Sequence, residues 1–243
     1  MCGRSSLTKT EKDLEARFGV DFYSEDLERY NPIPNYNVAP THIMPAIISG
    51  SRHFYMLRWG LVPFWAKDLT IGNKLINARV ESIMDKPSFR HLVQSKRCII
   101  PMDGYYEWKK SGKQKVPYRI TTKDQAIFGV AGLWDQWHNS DRGAVINSYT
   151  VITIPANEAL CPIHERMPAI LSRVNEQHWL DISIKPKDAM QLLSPYPSDL
   201  MHYYQVSDKV NNVRINEPSL IEKVKGETQP GDQDNDGQQL FLF

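Results

Sequence analysis

The alternation of apolar and polar residues along the chain predicts a protein built mainly from β-strands. Short runs of this kind, rich in β-branched and aromatic residues, occur at 44–49, 53–60, 75–81, 97–100, 104–109, 116–120, 126–134, 148–154 and 201–206. Two of them, 104–109 and 116–120, flank the sequence Lys-Ser-Gly-Lys, which is typical of a hairpin turn. A sheet with at least one tight hairpin is therefore expected.

Helical patterns are fewer and shorter. Thr8 or Thr10 is a suitable N-cap for a helix that runs to Phe18 and ends at Gly19, with Leu14 and Phe18 on one face. Further helices are expected at 88–95, 173–181 and 186–193. The combination predicts an α+β fold: a single β-rich domain with a strongly curved, barrel-like sheet and peripheral helices.

The pattern changes near residue 222. Residues 1–222 form one domain without internal repeats, whereas 223–243 are polar and acidic up to a short apolar end, Gln239-Leu240-Phe241-Leu242-Phe243. A segment of this composition cannot bury enough apolar surface to fold, so we expect a disordered acidic tail. Its apolar tip indicates a docking peptide.

Composition and charge exclude few classes of function. The 29 basic and 28 acidic residues nearly cancel, so net charge does not by itself predict nucleic-acid binding. No apolar run approaches the roughly 20 residues that span a bilayer, and the N-terminus lacks a signal-peptide core, so a cytoplasmic protein is expected. Three cysteines, an odd number, fit a reducing compartment.

Cys2 is the residue with the most distinctive chemistry. Removal of Met1 would give it a free α-amine, with a pKa of about 8, beside a thiol. The neutral amine attacks an aldehyde to form a Schiff base, and the thiol then closes on the imine carbon to form a thiazolidine. Gly3 allows close approach of the backbone, and Arg4 supplies a cation for a phosphate.

The start Met-Cys-Gly alone leaves alternatives open. A cysteine at position 2 can be an accident of an exposed terminus. Glutamine amidotransferases of the N-terminal-nucleophile class also begin Met-Cys-Gly and use the cysteine as an acylated nucleophile. The residues downstream decide between these possibilities.

Seven short motifs follow one another along the chain: MCGR at the start, YNVAP at 36–40, RWGLVP at 58–63, INARVE at 76–81, DGYYEW at 103–108, IHERMP at 163–168 and VNNVR at 210–214. As an ordered set they resemble the SOS-response-associated peptidase (SRAP) family. The resemblance implies a single domain that links covalently to abasic sites in single-stranded DNA through its N-terminal cysteine. It also implies autoproteolytic, peptidase-type removal of residues ahead of that cysteine. By motif, Cys2 is the covalent residue, and Asn77, Glu107 and His164 complete the catalytic set.

The side chains suit these roles. His164 can move protons as the sugar ring opens and the carbinolamine loses water. Glu107 can accept the proton of the Cys2 amine, provided that burial beside the neighbouring aromatic residues raises its pKa. Asn77 can hold the N-terminal residue through its amide. Because an imine acidifies the sugar C2 protons, weak abasic-site lyase activity is expected as a side reaction.

Candidate DNA contacts follow from the same motifs. Arg4, Arg79 and Arg166 are the best candidates for phosphate contacts, and Asn37 and Arg214 are weaker ones. Trp65 falls in a loop, where an exposed ring could stack on a base, whereas Trp59 is expected in the core. We expect no metal and no cofactor, since neither ligand spacing nor a nucleotide-binding motif occurs. Cys161 is expected to be a small buried residue.

The C-terminal peptide resembles the short motif by which bacterial proteins dock on the replicative sliding clamp. Gln239 would occupy a polar subsite, while Leu240, Leu242 and Phe243 fill apolar pockets. This partner would place a monomeric abasic-site trap at the replication fork, near the nucleoid, in a bacterium or phage. Two other functions remain open: a thiol peptidase acting on other proteins, and a non-catalytic, clamp-associated module that binds single-stranded DNA.

Overall fold

The computed structural model describes residues 2–23, 30–139 and 143–224, which form twelve strands and four α-helices. The strands are β1 (Ser5–Leu7), β2 (Asn35–Val38), β3 (Ile43–Ile48), β4 (Phe54–Trp59), β5 (Asn77–Arg79), β6 (Arg97–Met102), β7 (Gly104–Ser111), β8 (Gln114–Thr122), β9 (Phe128–His138), β10 (Val145–Pro155), β11 (Arg166–Pro168) and β12 (Met201–Gln205). The helices are α1 (Glu11–Phe18), α2 (Leu92–Ser95), α3 (Arg173–Leu180) and α4 (Pro186–Gln191).

Five strands close into a barrel in the order β10-β4-β3-β6-β9, because β9 also pairs antiparallel with β10. Closure removes the free edges that an open sheet would expose. Beyond the ring, β5 pairs parallel with β10 and β11 pairs antiparallel with it. The predicted barrel-like α+β fold with peripheral helices is confirmed.

A second sheet has the order β12-β8-β7-β1-β2 and places the N-terminal strand β1 between two neighbours. Buried Asp103 fixes this strand. Its carboxylate accepts from Ser6 Oγ at 2.6 Å and from the Thr8 amide at 2.6 Å, and it pairs with Arg119 at 3.2 Å. The residues just before β1 are therefore held firmly, although they lie at the end of the chain.

Local sequence explains the elements that were predicted well. Thr10, rather than Thr8, caps α1 in a reciprocal arrangement with Asp13, and Gly19 ends the helix with a φ of 67°. The β7–β8 hairpin turns at Gly112, whose φ of 59° suits glycine. Both predictions are confirmed.

Two predicted elements are shorter than expected. The strand expected over 75–81 is limited to β5, because only three of its residues pair with β10 before the chain enters a 3-10 helix at Val80–Ser82. The helix expected over 88–95 is regular only in α2, since the preceding residues form separate turns.

Burial confirms one side-chain prediction and contradicts another. Trp59 is fully buried, and its Nε1 donates to the Ile76 carbonyl at 3.0 Å. Cys161, predicted to be buried, is exposed, because it lies in the turns that follow β10 rather than in a strand. In the part of the chain that the structure describes, no helix has the length and apolar character needed to cross a membrane.

Candidate active site

The N-terminal segment is bound to the barrel through Cys2. The Cys2 carbonyl accepts a hydrogen bond from Asn77 Nδ2 at 2.7 Å, and Asn77 is the first residue of β5. The Cys2 side chain is fully buried. This bond joins the second sheet, which continues from Cys2 into β1, to the wall of the barrel.

Glu107 approaches Cys2 from β7. Ser5 pairs with Tyr105, and the Tyr106 amide donates to the Arg4 carbonyl at 2.9 Å, so β7 runs beside the residues that precede β1. Burial raises the pKa of the Cys2 thiol, and the negative charge of Glu107 raises that pKa further. The Cys2 thiol is therefore protonated at neutral pH before the substrate binds.

Glu107 is itself buried, with 3% of its surface exposed. Burial raises the pKa of its carboxyl group to about 7, because the charged form loses its hydration. At neutral pH the group is thus present in both ionisation states, so it can accept a proton in one step and donate one in another.

His164 lies in the turn before β11, where its Nδ1 accepts from the Arg166 amide at 3.0 Å. That bond leaves the proton of the neutral ring on Nε2. Burial lowers the pKa of His164, so the neutral form prevails at physiological pH. The ring is therefore oriented as a donor through Nε2.

An open cleft of about 520 Å³ connects Glu107 and His164 with the surface. Its lining residues are Glu107, Trp108, Lys110, Lys115, His164 and Asn211. Of the four predicted catalytic residues, the structure places Cys2 against Asn77 and beside Glu107, and it puts Glu107 and His164 on the same cleft.

Asn37, a predicted DNA contact, is bonded within the protein, and its contact with DNA stays a prediction. Asn37 is 1% exposed, and its Nδ2 donates to the carbonyls of Asn212 at 3.0 Å and Ile215 at 2.8 Å. Arg4 is bound in the same network: its Nη1 donates to Asn37 Oδ1 at 2.7 Å and to the Val210 carbonyl at 2.5 Å. Asn37 thus fixes residues 210–215, and Arg4 is only partly available to a phosphate.

Arg166, a predicted phosphate contact, also has partners within the protein, and its contact with DNA stays a prediction. It forms a bidentate pair with Glu81, at 2.5 and 3.0 Å, and donates to the Thr153 carbonyl at 2.5 Å. Its side chain is 9% exposed. Since its backbone amide holds His164, Arg166 positions the histidine turn against β10.

Three predicted DNA contacts do reach the surface: Arg79, Arg214 and Trp65. Trp65 is 47% exposed, next to Phe64 at 60%. Their loop is rigidly attached, since the Phe64 amide donates to Asp135 Oδ2 at 2.9 Å and Trp137 Nε1 donates to the Ala66 carbonyl at 2.6 Å. Contact with DNA remains a prediction for all three.

Four residues of the cleft were not predicted from the sequence as site residues: Trp108, Lys110, Lys115 and Asn211. Asn211 fixes the indole of Trp108, whose Nε1 donates to Asn211 Oδ1 at 2.8 Å. The density of lysines at 109–115 was a usable indication, but that stretch was interpreted only as a turn. No cluster of three or more potential metal ligands occurs among the described residues.

Comparisons with known proteins agree with this architecture. The family profile described as SOS response associated peptidase (SRAP) matches residues 1–213. The chain is 45% identical over 226 residues to Abasic site processing protein YoqW of Bacillus subtilis, covering 91% of this chain and 99% of that protein. It is 30% identical over 265 residues to Abasic site processing protein HMCES of Xenopus tropicalis, covering 91% and 78%. A crystal structure of a protein from Bacteroides thetaiotaomicron superposes with a TM-score of 0.86 at 30% identity, covering 92% of this chain and all of that one.

Proposed function

The chain belongs to the SOS response associated peptidase (SRAP) family, and on that premise we propose that it processes abasic sites in DNA by bonding to them covalently through Cys2. Several relatives, from bacteria to vertebrates, are named abasic site processing proteins. The covalent step is inferred from the site itself.

One observation carries the proposal: Cys2 is held by Asn77 at 2.7 Å in a buried position beside Glu107. A terminal residue fixed in this way presents its amine and its thiol to the same reacting atom. Such positioning replaces a bimolecular encounter by a nearly unimolecular one.

The first bond formed is between nitrogen and carbon. After loss of Met1, the carboxylate of Glu107 accepts a proton from the Cys2 amine, and the neutral amine attacks the C1′ aldehyde of the open abasic sugar. His164 Nε2–H donates a hydrogen bond to the hydroxyl of the carbinolamine, and Glu107, protonated in the first step, transfers its proton to that hydroxyl. The hydroxyl leaves as water, the nitrogen proton returns to Glu107, and a neutral imine remains.

The second bond closes the ring. Cys2 Sγ adds to the imine carbon, and the thiol proton passes through Glu107 to the nitrogen, giving a five-membered thiazolidine with a net loss of one water. Protonation of the ring nitrogen by Glu107 would reverse the step. Closure also removes the imine that permits β-elimination, so lyase activity should stay weak.

The test is incubation of the purified protein with single-stranded DNA that carries one abasic site, read by denaturing gel and intact mass. Wild type lacking Met1 should give a heat-stable adduct with the mass of both components minus one water. Cys2→Ala should give none of this adduct. Cys2→Ser keeps the amine and should give an adduct mainly after borohydride reduction.

Cys161→Ala is the matched control, since it removes an exposed thiol outside the site and should react like wild type. The proposal fails if wild type forms no adduct although Met1 is absent, or if Cys2→Ala forms the same heat-stable adduct. Cleavage of an unrelated protein substrate that depends on Cys2 would instead support the peptidase alternative.

A further inference from the structure

We propose that Lys110 and Lys115, at the rim of the cleft, form a binding site for the phosphates of the DNA strand that enters it. The inference rests on the proposed function, and it assigns part of the substrate's affinity to the β7–β8 hairpin rather than to the arginines of the motifs.

The register of the hairpin places the two lysines side by side. Lys110 is paired directly with Lys115 across β7 and β8. Directly opposed residues of an antiparallel pair have Cβ atoms about 4.5–5.5 Å apart. Both side chains line the cleft that holds Glu107 and His164.

No acidic side chain is paired directly with either lysine in the described part of the chain. Neither takes part in any ion pair found among residues 2–23, 30–139 and 143–224. The sequence from 108 to 123 contains no acidic residue, and Lys109 and Lys113 add further positive charge. Like charges placed directly opposite each other destabilise a strand pair. A bound polyanion would offset this repulsion.

The chemistry of the rim fits a phosphate chain. Lysine ammonium groups act as point charges, and they can donate hydrogen bonds to a phosphate from several directions. The neighbouring indole of Trp108 is fixed by Asn211 and gives the cleft an apolar wall. Contacts to the backbone carry no sequence information, which suits a lesion that has lost its base.

The experiment compares Lys110→Gln/Lys115→Gln with Lys185→Gln/Lys187→Gln, which removes the same charge from exposed lysines at the start of α4. The second-order rate constant for crosslinking to abasic single-stranded DNA is measured between 50 and 200 mM KCl. Each phosphate contact to a single strand contributes about 0.7 to the log–log salt slope, so the cleft variant should lose about 1.4 of slope and react roughly tenfold more slowly near 150 mM. The control variant should match wild type.

A second substrate separates binding from chemistry. Free 2-deoxyribose has the aldehyde but no phosphate, so its adduct with Cys2, followed by mass, should form equally fast in all three proteins. Equal melting temperatures would show that the variants are folded.

The possible failures are distinguishable. If wild type forms no adduct with abasic DNA, the proposed function fails. If wild type reacts and the cleft variant matches it in rate and salt slope, the phosphate site is wrong while the proposed function stands. Loss of the deoxyribose reaction in the cleft variant would also overturn the phosphate site, because the lysines would then act on the reaction itself.

Discussion

Glu107 shows how the surroundings of a single residue set its chemistry. It is placed on a strand between aromatic neighbours and almost completely removed from water, and this burial raises the pKa of its carboxyl group to about 7. The property that makes it useful as both acid and base also opposes folding, because the charged form is disfavoured in the native state.

This cost gives a pH-dependent stability. Between the ordinary carboxyl pKa of 4.5 and the raised value of about 7, the folded state binds more protons than the unfolded state, so stability falls as pH rises through this window. Above it, the loss amounts to about 3 kcal/mol. Glu107→Gln should therefore be more stable than wild type at pH 8 and nearly equal to it at pH 4.5, as measured by urea unfolding. Parallel pH dependences would contradict the buried, titrating carboxyl group.

At the scale of elements, the sequence predicted what local patterns control. Thr10 and Gly19 mark the ends of α1, and Gly112 marks the hairpin, because caps and turns depend on a few adjacent residues. The pairing of β9 with β10, which closes the barrel, and the register of that pairing could not be predicted from the sequence. Strand partners are chosen by packing over long separations, which no local pattern records.

At the candidate site too, local motifs identify residues but do not show their partners. Family motifs pointed to Cys2, Asn77 and Glu107, and the structure brings these three together. They did not show that Arg166 is paired within the protein, because its partner Glu81 lies 85 residues away in sequence. The roles in catalysis remain predictions.

Asn37 gives a prediction at this scale, since it connects β2 to residues 210–215. Removing its amide leaves the carbonyls of Asn212 and Ile215 without their donor, so Asn37→Ala should lower the free energy of unfolding by about 2 kcal/mol. Hydrogen exchange should accelerate at 210–215, while the salt slope of crosslinking stays unchanged. A reduced salt slope of crosslinking in a stably folded variant would show that Asn37 contacts DNA.

The loop that carries Trp65 leads to a further prediction. Its backbone is fixed by Asp135 and Trp137, so the exposed ring can be removed without disturbing the fold. If the ring stacks on a base, Trp65→Ala should weaken binding of single-stranded DNA by about 1–3 kcal/mol at an unchanged melting temperature. Tyr55→Ala, which removes another partly exposed ring lining a different cavity, is the control. Equal affinity of both variants would assign Trp65 to another role.

At the scale of the whole molecule, the site lies where two sheets meet. Cys2 and Glu107 belong to the sheet that contains β1 and β7, whereas Asn77 and His164 come from segments beside β10 of the barrel. Neither sheet alone contains the catalytic set. Relative movement of the sheets would therefore separate Cys2 and Glu107 from Asn77 and His164.

The predicted clamp peptide, Gln239, Leu240, Leu242 and Phe243, lies outside the described residues, as does Met1. We propose that it docks on a bacterial sliding clamp. Deletion of 239–243 should abolish binding to the purified clamp in calorimetry while leaving crosslinking to free oligonucleotides unchanged. Full binding by the deleted chain would exclude the peptide as the docking element.

The central position of β1 determines when the N-terminus becomes buried during synthesis of the chain. Ser5 pairs with Tyr105, so the strand that buries Cys2 waits for about 100 further residues to leave the ribosome. At roughly 5–20 residues per second, this interval lasts on the order of 5–20 s. Because Cys2 is fully buried once β1 has paired, we expect a methionine aminopeptidase that acts on the emerging chain to remove Met1 within this interval. The fraction of molecules with a free Cys2 amine is then set during translation, by the relative rates of Met1 removal and of β1 pairing.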